Sequence, residues 1–132
     1  MRRVRLPLAA SGPLDPATAW ERYDRPALWP TWSPQIRAVE AAPRLAAGLR
    51  GRVHPWAGPA VPFTVLAHDP GARRWSWRVG PPALDLRLHH AVEPAPGSGT
   101  RTTLQLDAPW PLAPVAAAYA PLALLALRRL VR

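Results

Sequence analysis

The C-terminal part of the chain contains a long uncharged segment that limits how the chain can fold. Residues 108–127, APWPLAPVAAAYAPLALLAL, carry no charge over about the length of a bilayer-spanning helix. Prolines at 109, 111, 114 and 121 interrupt the segment, so we expect an unbroken helix only from Pro114 to Val131, which is short for a membrane span. Its leucines surround most of the helix, which must then be covered on more than one side. The segment predicts a core helix, with membrane association as an alternative.

The composition narrows the class of protein. A chain of 132 residues is long enough for one domain, residues 1–132, with a single core. All 17 basic residues are arginine and the formal net charge is +9. A nucleic-acid-binding surface would gather arginines on one face, whereas these are spread from Arg2 to Arg132. We therefore expect no nucleic-acid partner, and we interpret the arginines as the product of a GC-rich, bacterial codon repertoire.

Two further features of the composition exclude particular chemistries. The chain has no cysteine, which excludes disulfides, thiolate metal sites and a cysteine nucleophile. The basic N-terminal stretch MRRVRLPLAASGPLD has too few apolar residues before Gly12 to act as a signal peptide. We expect a cytoplasmic protein with no metal site and no cofactor; the oligomeric state stays open.

The first third of the chain predicts one strand and two short helices. Residues 4–8 alternate weakly, which favours an opening strand. Asp15 followed by Pro16 is a strong helix start, because the carboxylate caps free N–H groups and proline fits the first turn. A second helical turn, Ala27 to Trp32, is bounded by prolines and contains Trp29 and Trp32.

From Ile36 onward the hydrophobic period changes to two, which predicts antiparallel strands with one wet face. Six segments show it: IRAVEA, GLRGRVHPW, VPFTVLAH, RRWSWRVG, LDLRLHHAVE and TRTTLQLDA. The residues expected to face the interior are Phe63, Val65, Trp75, Trp77, Leu84, Leu86, Leu88, His90, Leu104 and Leu106. Those expected on the outer face include Arg74, Arg78, Asp85, Arg87, Gln105 and Asp107.

Three stretches of the chain, taken in order, resemble a known superfamily. They are LDPATAWERYDRPALWPTWSPQIRAVE, HDPGARRWSWRV and HHAVEPAPGSGTRTTLQL. Between about Val4 and Leu130 the chain resembles the START-related helix-grip superfamily SRPBCC, in its polyketide cyclase/dehydrase-like branch. The resemblance implies an α+β helix-grip fold, in which a curved antiparallel sheet of about six to seven strands wraps around a long C-terminal helix. It also implies two short helices after the first strand, a ligand cavity between the sheet and the long helix, and a plug formed by Trp29 and Trp32 at the cavity mouth. The alternative for both tryptophans is core packing.

His90 is the one residue in this pattern that suggests catalysis. It interrupts an apolar inward row, where an imidazole could act as a general acid or base or donate a hydrogen bond to a ligand carbonyl. The alternative is a core histidine that a backbone carbonyl satisfies. If a ligand satisfies it, we expect His90→Leu to weaken binding by about 1 to 3 kcal/mol with little loss of stability.

Two functions follow from these observations. The first is binding or transport of a hydrophobic small molecule, such as a lipid, polyketide or aromatic metabolite, in an enclosed pocket of several hundred cubic ångströms. The alternative is a polyketide cyclase/dehydrase-type enzyme that uses His90. The candidate ligand-binding residues are Trp29, Trp32, Phe63, Trp75, Trp77, Leu86, Leu88, His90, Leu104, Tyr119 and Leu122.

Overall fold

The protein, described here by a computed structural model over residues 2–132, has seven strands and three α-helices in that range. The strands are β1 (Arg3–Gly12), β2 (Ile36–Glu40), β3 (Arg50–Pro55), β4 (Val61–Asp69), β5 (Arg74–Val79), β6 (Leu86–Pro94) and β7 (Thr100–Pro109). The helices are α1 (Pro16–Asp24), α2 (Trp29–Trp32) and α3 (Ala113–Leu130). Short 3₁₀ turns cover Pro26–Leu28, Pro82–Leu84 and Trp110–Leu112.

The strands form one antiparallel sheet in the order β1-β7-β6-β5-β4-β3-β2. Each strand from β2 to β7 pairs with the next along the chain, and β1 joins the far edge beside β7. The two short helices α1 and α2 connect the two edge strands, and α3 packs against β1 and β7. This is the helix-grip arrangement, so the predicted fold class is confirmed.

The helix boundaries follow local chemistry. The Asp15 carboxylate accepts a hydrogen bond from the backbone N–H of Thr18 at 3.1 Å, and Pro16 occupies the first turn, so the predicted start of α1 is confirmed. Helix α3 begins and ends within one residue of its predicted bounds and contains Pro121.

The inward row predicted from the period of two is buried, with two exceptions. Leu86 is only partly buried, and Leu84 is 40% exposed. The expectation for Leu84 is wrong because it lies in the Pro82–Leu84 turn and not in a strand. Two consecutive prolines start that turn, and Asp85 ends it in a left-handed conformation with φ of 50°, so β6 begins only at Leu86.

Helix α3 is not covered all round. Its buried side chains face the sheet and α2: Ala116, Ala123, Ala126, Leu127 and Leu130. On the opposite side Leu122 and Leu125 are exposed, and Val115, between the two sides, is exposed as well. The segment Trp110–Leu130 is long and apolar enough to cross a membrane by length and composition, with a mean hydropathy of 1.6.

Candidate ligand-binding site

Six aromatic side chains fill the space between the sheet, the short helices and the C-terminal half of α3. We call them the aromatic cluster: Tyr23, Trp29, Trp32, Phe63, Trp75 and Trp77. Trp29 lies at its centre, with its ring centroid 5.1 Å from that of Trp77 and 5.6 Å from those of Trp75 and Phe63. Such tilted and edge-on pairs are favourable aromatic geometries.

The indole N–H groups of Trp29 and Trp32 explain why the two residues stand three apart after α1. Trp29 Nε1 donates to the carbonyl oxygen of Tyr23 at 2.8 Å, and Trp32 Nε1 donates to that of Arg22 at 3.0 Å. Both carbonyls belong to the last turn of α1 and would otherwise lack partners. The two tryptophans therefore join α2 to α1 and pack in the core. They do not form the plug that was expected at the mouth of a cavity.

His90 takes part in a directed chain of hydrogen bonds inside the aromatic cluster. Trp77 Nε1 donates to His90 Nε2 at 2.9 Å, so the ring proton of the neutral imidazole sits on Nδ1. His90 Nδ1 then donates to the Tyr23 hydroxyl at 3.1 Å, which donates to Thr102 Oγ1 at 3.2 Å. Thr102 Oγ1 donates to the carbonyl oxygen of Ala91 at 3.0 Å, which is the last hydrogen bond of the series.

These hydrogen bonds leave neither ring nitrogen of His90 free to bind a ligand. Both ring nitrogens are engaged by side chains, and burial, aided by the nearby His89, lowers the pKa of His90 to about 3. Burial also raises the pKa of the Tyr23 hydroxyl. The imidazole thus stays neutral near pH 7, as a satisfied core histidine does, although its partners are side chains and not the expected backbone carbonyl.

The space that remains around the aromatic cluster is a cavity of only about 30 Å³, which we call the small cavity. The expectation of an enclosed pocket of several hundred cubic ångströms beside His90 is therefore wrong, because the indole rings fill that space. The predicted site residues that line the small cavity are Trp29, Trp32, Trp75, Trp77, Leu88, His90, Leu104 and Tyr119.

A larger cavity of about 160 Å³, which we call the chamber, lies between the N-terminal half of α3 and strands β5, β6 and β7. Four predicted site residues line it: Trp77, Leu86, Leu88 and Tyr119. Val79, Arg87, Leu106, Asp107, Ala108, Val115 and Ala116 complete the wall. Ala108 on β7 and Ala116 on α3 are small, which leaves open the space that larger side chains fill at the other end of the helix.

Two predicted site residues lie away from both cavities. Phe63 is buried beside Trp29 and lines neither space. Leu122 is 39% exposed on the outer side of α3, so its expected place in the ligand site is wrong. The leucine pattern of α3 could not show this, because it spreads around the helix and does not mark the buried face.

The charged residues at the edge of the chamber are paired with one another. Asp107 is buried on the outer side of the sheet, where Arg3 Nε donates to its Oδ1 at 2.6 Å. Arg87 Nε donates to Asp85 Oδ1 at 2.9 Å. Hydrogen bonds from Arg87 and Arg78 lower the pKa of Asp85 to about 2, against the opposing effect of burial. The pairs leave the chamber without a free charge for an ionic ligand.

The polar groups nearest the chamber are an amide and a phenol. Gln35 Nε2 donates to the Tyr119 hydroxyl at 2.9 Å, and burial raises the pKa of Tyr119, so the phenol remains protonated. Gln35 Oε1 and Trp75 Nε1 are buried and have no hydrogen-bond partner among residues 2–132. Sequence reasoning missed Gln35, since a polar residue between a proline and a strand has no period that assigns it a face.

A third concavity, about 590 Å³, is an open groove on the outer face of the sheet. Its lining includes Arg74, His89, Arg101 and Gln105, which face solvent as their alternation predicts, and Ser76, which is on the same face but buried. It lies on the other side of the sheet from α3. Within residues 2–132 no three histidine, aspartate or glutamate side chains are placed to hold a metal ion.

Comparison with known proteins identifies the family. Residues 10–132 match the family model described as "Polyketide cyclase / dehydrase and lipid transport". The chain belongs to this family. Membership confirms the SRPBCC superfamily that the sequence resembles, and it is consistent with binding of hydrophobic ligands.

The solved structure of Ara h 8.0201 is similar to this family member over 99% of this chain and 100% of its own. The TM-score is 0.69 and the sequence identity is 13%, so the similarity shows the helix-grip fold alone. No curated protein matches the chain significantly.

Proposed function

We propose that this member of the polyketide cyclase/dehydrase and lipid transport family binds a small, neutral, mostly apolar molecule in the chamber. The observation that carries the proposal is the chamber itself, an apolar space of about 160 Å³ between α3 and the sheet. An empty apolar cavity of about 150 Å³ is large enough to bind benzene. The volume therefore fits a single ring or a short hydrocarbon chain, and only part of a larger lipid or polyketide.

Binding is better supported than catalysis. General acid–base catalysis needs a side chain that exchanges a proton near the working pH. Apart from Arg87 and Asp107, which are held in ion pairs at the edge of the chamber, the polar groups that line the two cavities are the Ser33 hydroxyl, the Gln35 amide, indoles, the Tyr119 phenol, whose pKa is raised, and His90, whose pKa is lowered to about 3. None of these changes its protonation state near neutral pH, so the cyclase/dehydrase alternative loses the residue on which it depended.

Filling the chamber tests the proposal. Isothermal titration calorimetry with ethylbenzene should show saturable binding to the wild type, and Ala116→Leu should weaken it at least about tenfold by occupying the space. Ala118→Leu, the same change on the exposed side of α3, should bind as the wild type does. Absence of saturable binding to the wild type, or equal binding by Ala116→Leu, would contradict the proposal.

The exposed strip of α3 favours a second candidate, contact with an anionic membrane surface. Trp110 at its start is 58% exposed, and Val115, Leu122 and Leu125 continue the strip. No acidic residue follows Asp107, whereas Arg128, Arg129 and Arg132 are exposed at the end. Apolar side chains beside arginines are typical of helices that lie on anionic lipid. A cytoplasmic location, expected from the sequence, is compatible with both candidates.

Vesicle co-sedimentation tests this second candidate. The wild type should sediment with phosphatidylglycerol vesicles and not with phosphatidylcholine vesicles, and changing both Leu122 and Leu125 to glutamate should abolish sedimentation. Leu66→Glu, a change of an exposed leucine on β4, is the control that should leave sedimentation unchanged. Equal sedimentation of all three proteins would exclude a role for the strip.

A further inference from the structure

Two buried polar atoms, in residues that line the small cavity, have no hydrogen-bond partner among residues 2–132. Trp29, Trp32 and Trp77 each donate their indole N–H to a protein acceptor, whereas Trp75 Nε1 has no partner among residues 2–132. Gln35 Oε1 is in the same state. Leaving such a group unpaired costs about 1 to 3 kcal/mol, so unpaired atoms of this kind call for an explanation.

Both residues line the small cavity, which adjoins the chamber. The two spaces share three lining residues, Trp77, Leu88 and Tyr119. A molecule whose body occupies the chamber therefore lies next to the small cavity, with the side chain of Tyr119 between the two spaces. With a volume of about 30 Å³, that cavity takes a group the size of one water molecule and no larger polar group.

The chemistry of the two atoms selects the group. The indole N–H is a donor and the amide oxygen is an acceptor, so one atom satisfies both only if it accepts and donates at once. A hydroxyl does this. A carbonyl oxygen can only accept, so it would leave Gln35 Oε1 unpaired. A carboxylate would be repelled by that oxygen, and no cation among the residues that line the small cavity would balance its charge.

We infer that the ligand is a neutral hydroxyl compound, a phenol or a short alcohol, whose hydroxyl donates to Gln35 Oε1 and accepts from Trp75 Nε1. Its apolar body lies in the chamber beside Tyr119. This inference rests on the proposed function and adds the polar group that the chamber selects. Tyr119 holds the Gln35 side chain in place by accepting a hydrogen bond from its amide nitrogen.

Three probes of similar shape test the inference by isothermal titration calorimetry: 4-ethylphenol, 4-ethyltoluene and 4-ethylbenzaldehyde. They carry a hydroxyl, a methyl group and a carbonyl at the same position. The wild type should bind 4-ethylphenol about tenfold more tightly than either of the others, since two hydrogen bonds are gained only with the hydroxyl.

Two substitutions remove the selecting atoms, and a third changes a buried indole that lines neither cavity. Trp75→Phe and Gln35→Leu should each reduce the preference for 4-ethylphenol over 4-ethyltoluene to about threefold or less, with 4-ethyltoluene still bound. Trp20→Phe is the control, because this buried indole stacks on His68 and lines neither the chamber nor the small cavity, and it should keep the tenfold preference. Thermal melting shows that each variant is folded before its affinities are compared.

Three possible results of the calorimetry would overturn the inference, and they differ in what they mean for the proposed function. Equal affinity of the wild type for 4-ethylphenol and 4-ethyltoluene overturns the inference and leaves the proposed function standing. Tighter binding of 4-ethylbenzaldehyde also overturns it, since that preference requires the Gln35 amide nitrogen and not its oxygen to face the ligand. Failure to bind any of the three overturns the inference and the proposed function together.

Discussion

The two ends of the interface between α3 and the sheet are built differently. At the C-terminal end, Ala123, Ala126 and Leu127 pack over the aromatic cluster and leave only about 30 Å³. At the N-terminal end, Val115 and Ala116 leave about 160 Å³ above the same sheet. Since one helix and one sheet form both ends, the size of the side chains decides which end is filled.

The ends also differ in how the helix is held. The last turn of α3 is tied to α1, because Arg22 Nη1 donates to the carbonyl oxygens of Arg129 at 3.1 Å and Leu130 at 2.8 Å. The backbone N–H of Leu14 donates to the carbonyl of Val131 at 3.1 Å. At the other end no side chain caps α3, which follows the turn Trp110–Leu112. We infer that the filled end supplies stability and the open end supplies binding.

The largest expected effect is the loss of the central indole of the filled end. Trp29→Ala should lower the free energy of unfolding by about 3 to 5 kcal/mol, as large-to-small changes of buried aromatics do. Trp110→Ala, at an exposed indole, should change it by less than about 0.5 kcal/mol. Urea denaturation measures both, and similar losses for the two variants would contradict a stability centred on the aromatic cluster.

Removing the imidazole should come next. His90→Leu leaves the Trp77 N–H without an acceptor and the Tyr23 hydroxyl without a donor, so stability should fall by about 1 to 3 kcal/mol for each stranded group. The affinity for ethylbenzene should stay unchanged. This is the outcome that the core-histidine alternative predicts, and a weaker affinity with unaltered stability would instead support a histidine that binds the ligand.

The same imidazole gives the filled end a pH dependence. The pKa of His90 is lowered to about 3, against about 6.5 in an unfolded chain, so its contribution to stability is complete above pH 6.5 and is lost as the pH falls from there toward 3. Between pH 6 and pH 4.5 the wild type should therefore lose about 1.4 kcal/mol more per pH unit than His90→Leu. Urea denaturation across this range measures the difference, and parallel curves would mean that His90 is protonated in the folded protein.

The smallest effect comes from placing the same substitution at each end of α3. Ala116→Leu should change the free energy of unfolding by less than about 1 kcal/mol, because the chamber has room for the added atoms. Ala123→Leu, against the filled end, should cost about 1 to 3 kcal/mol through overpacking. Equal losses would show that the two ends are packed alike.

The sequence predicted the fold because its strongest patterns are local. The alternation of apolar and polar residues assigns each strand a face, and Asp15 with Pro16 marks the start of α1 through contacts within four residues. The cavities follow from volumes that meet only in three dimensions. Trp29 fills the space beside Trp77, and Ala116 lines the chamber together with Leu86, in each case from segments far apart in the chain.

The role of His90 was out of reach of the sequence for the same reason. Its face was predicted correctly, but its partner Tyr23 lies 67 residues away on α1. A polar residue on the inner face requires a hydrogen-bond partner, but the sequence does not show whether the protein or a ligand provides it. The same limit applies to Gln35 and Trp75, where the partner that we propose is a ligand.

The most direct measurement of the central claim, that the open end is the ligand site, is a crystal structure of the protein soaked with bromobenzene, in which anomalous scattering locates the bromine atom. We predict one bromine site inside the chamber, between Leu106 on β7 and Ala116 on α3. A bromine site only in the groove on the outer face of the sheet, beside Arg74 and His89, or no site at saturating bromobenzene, would contradict the claim.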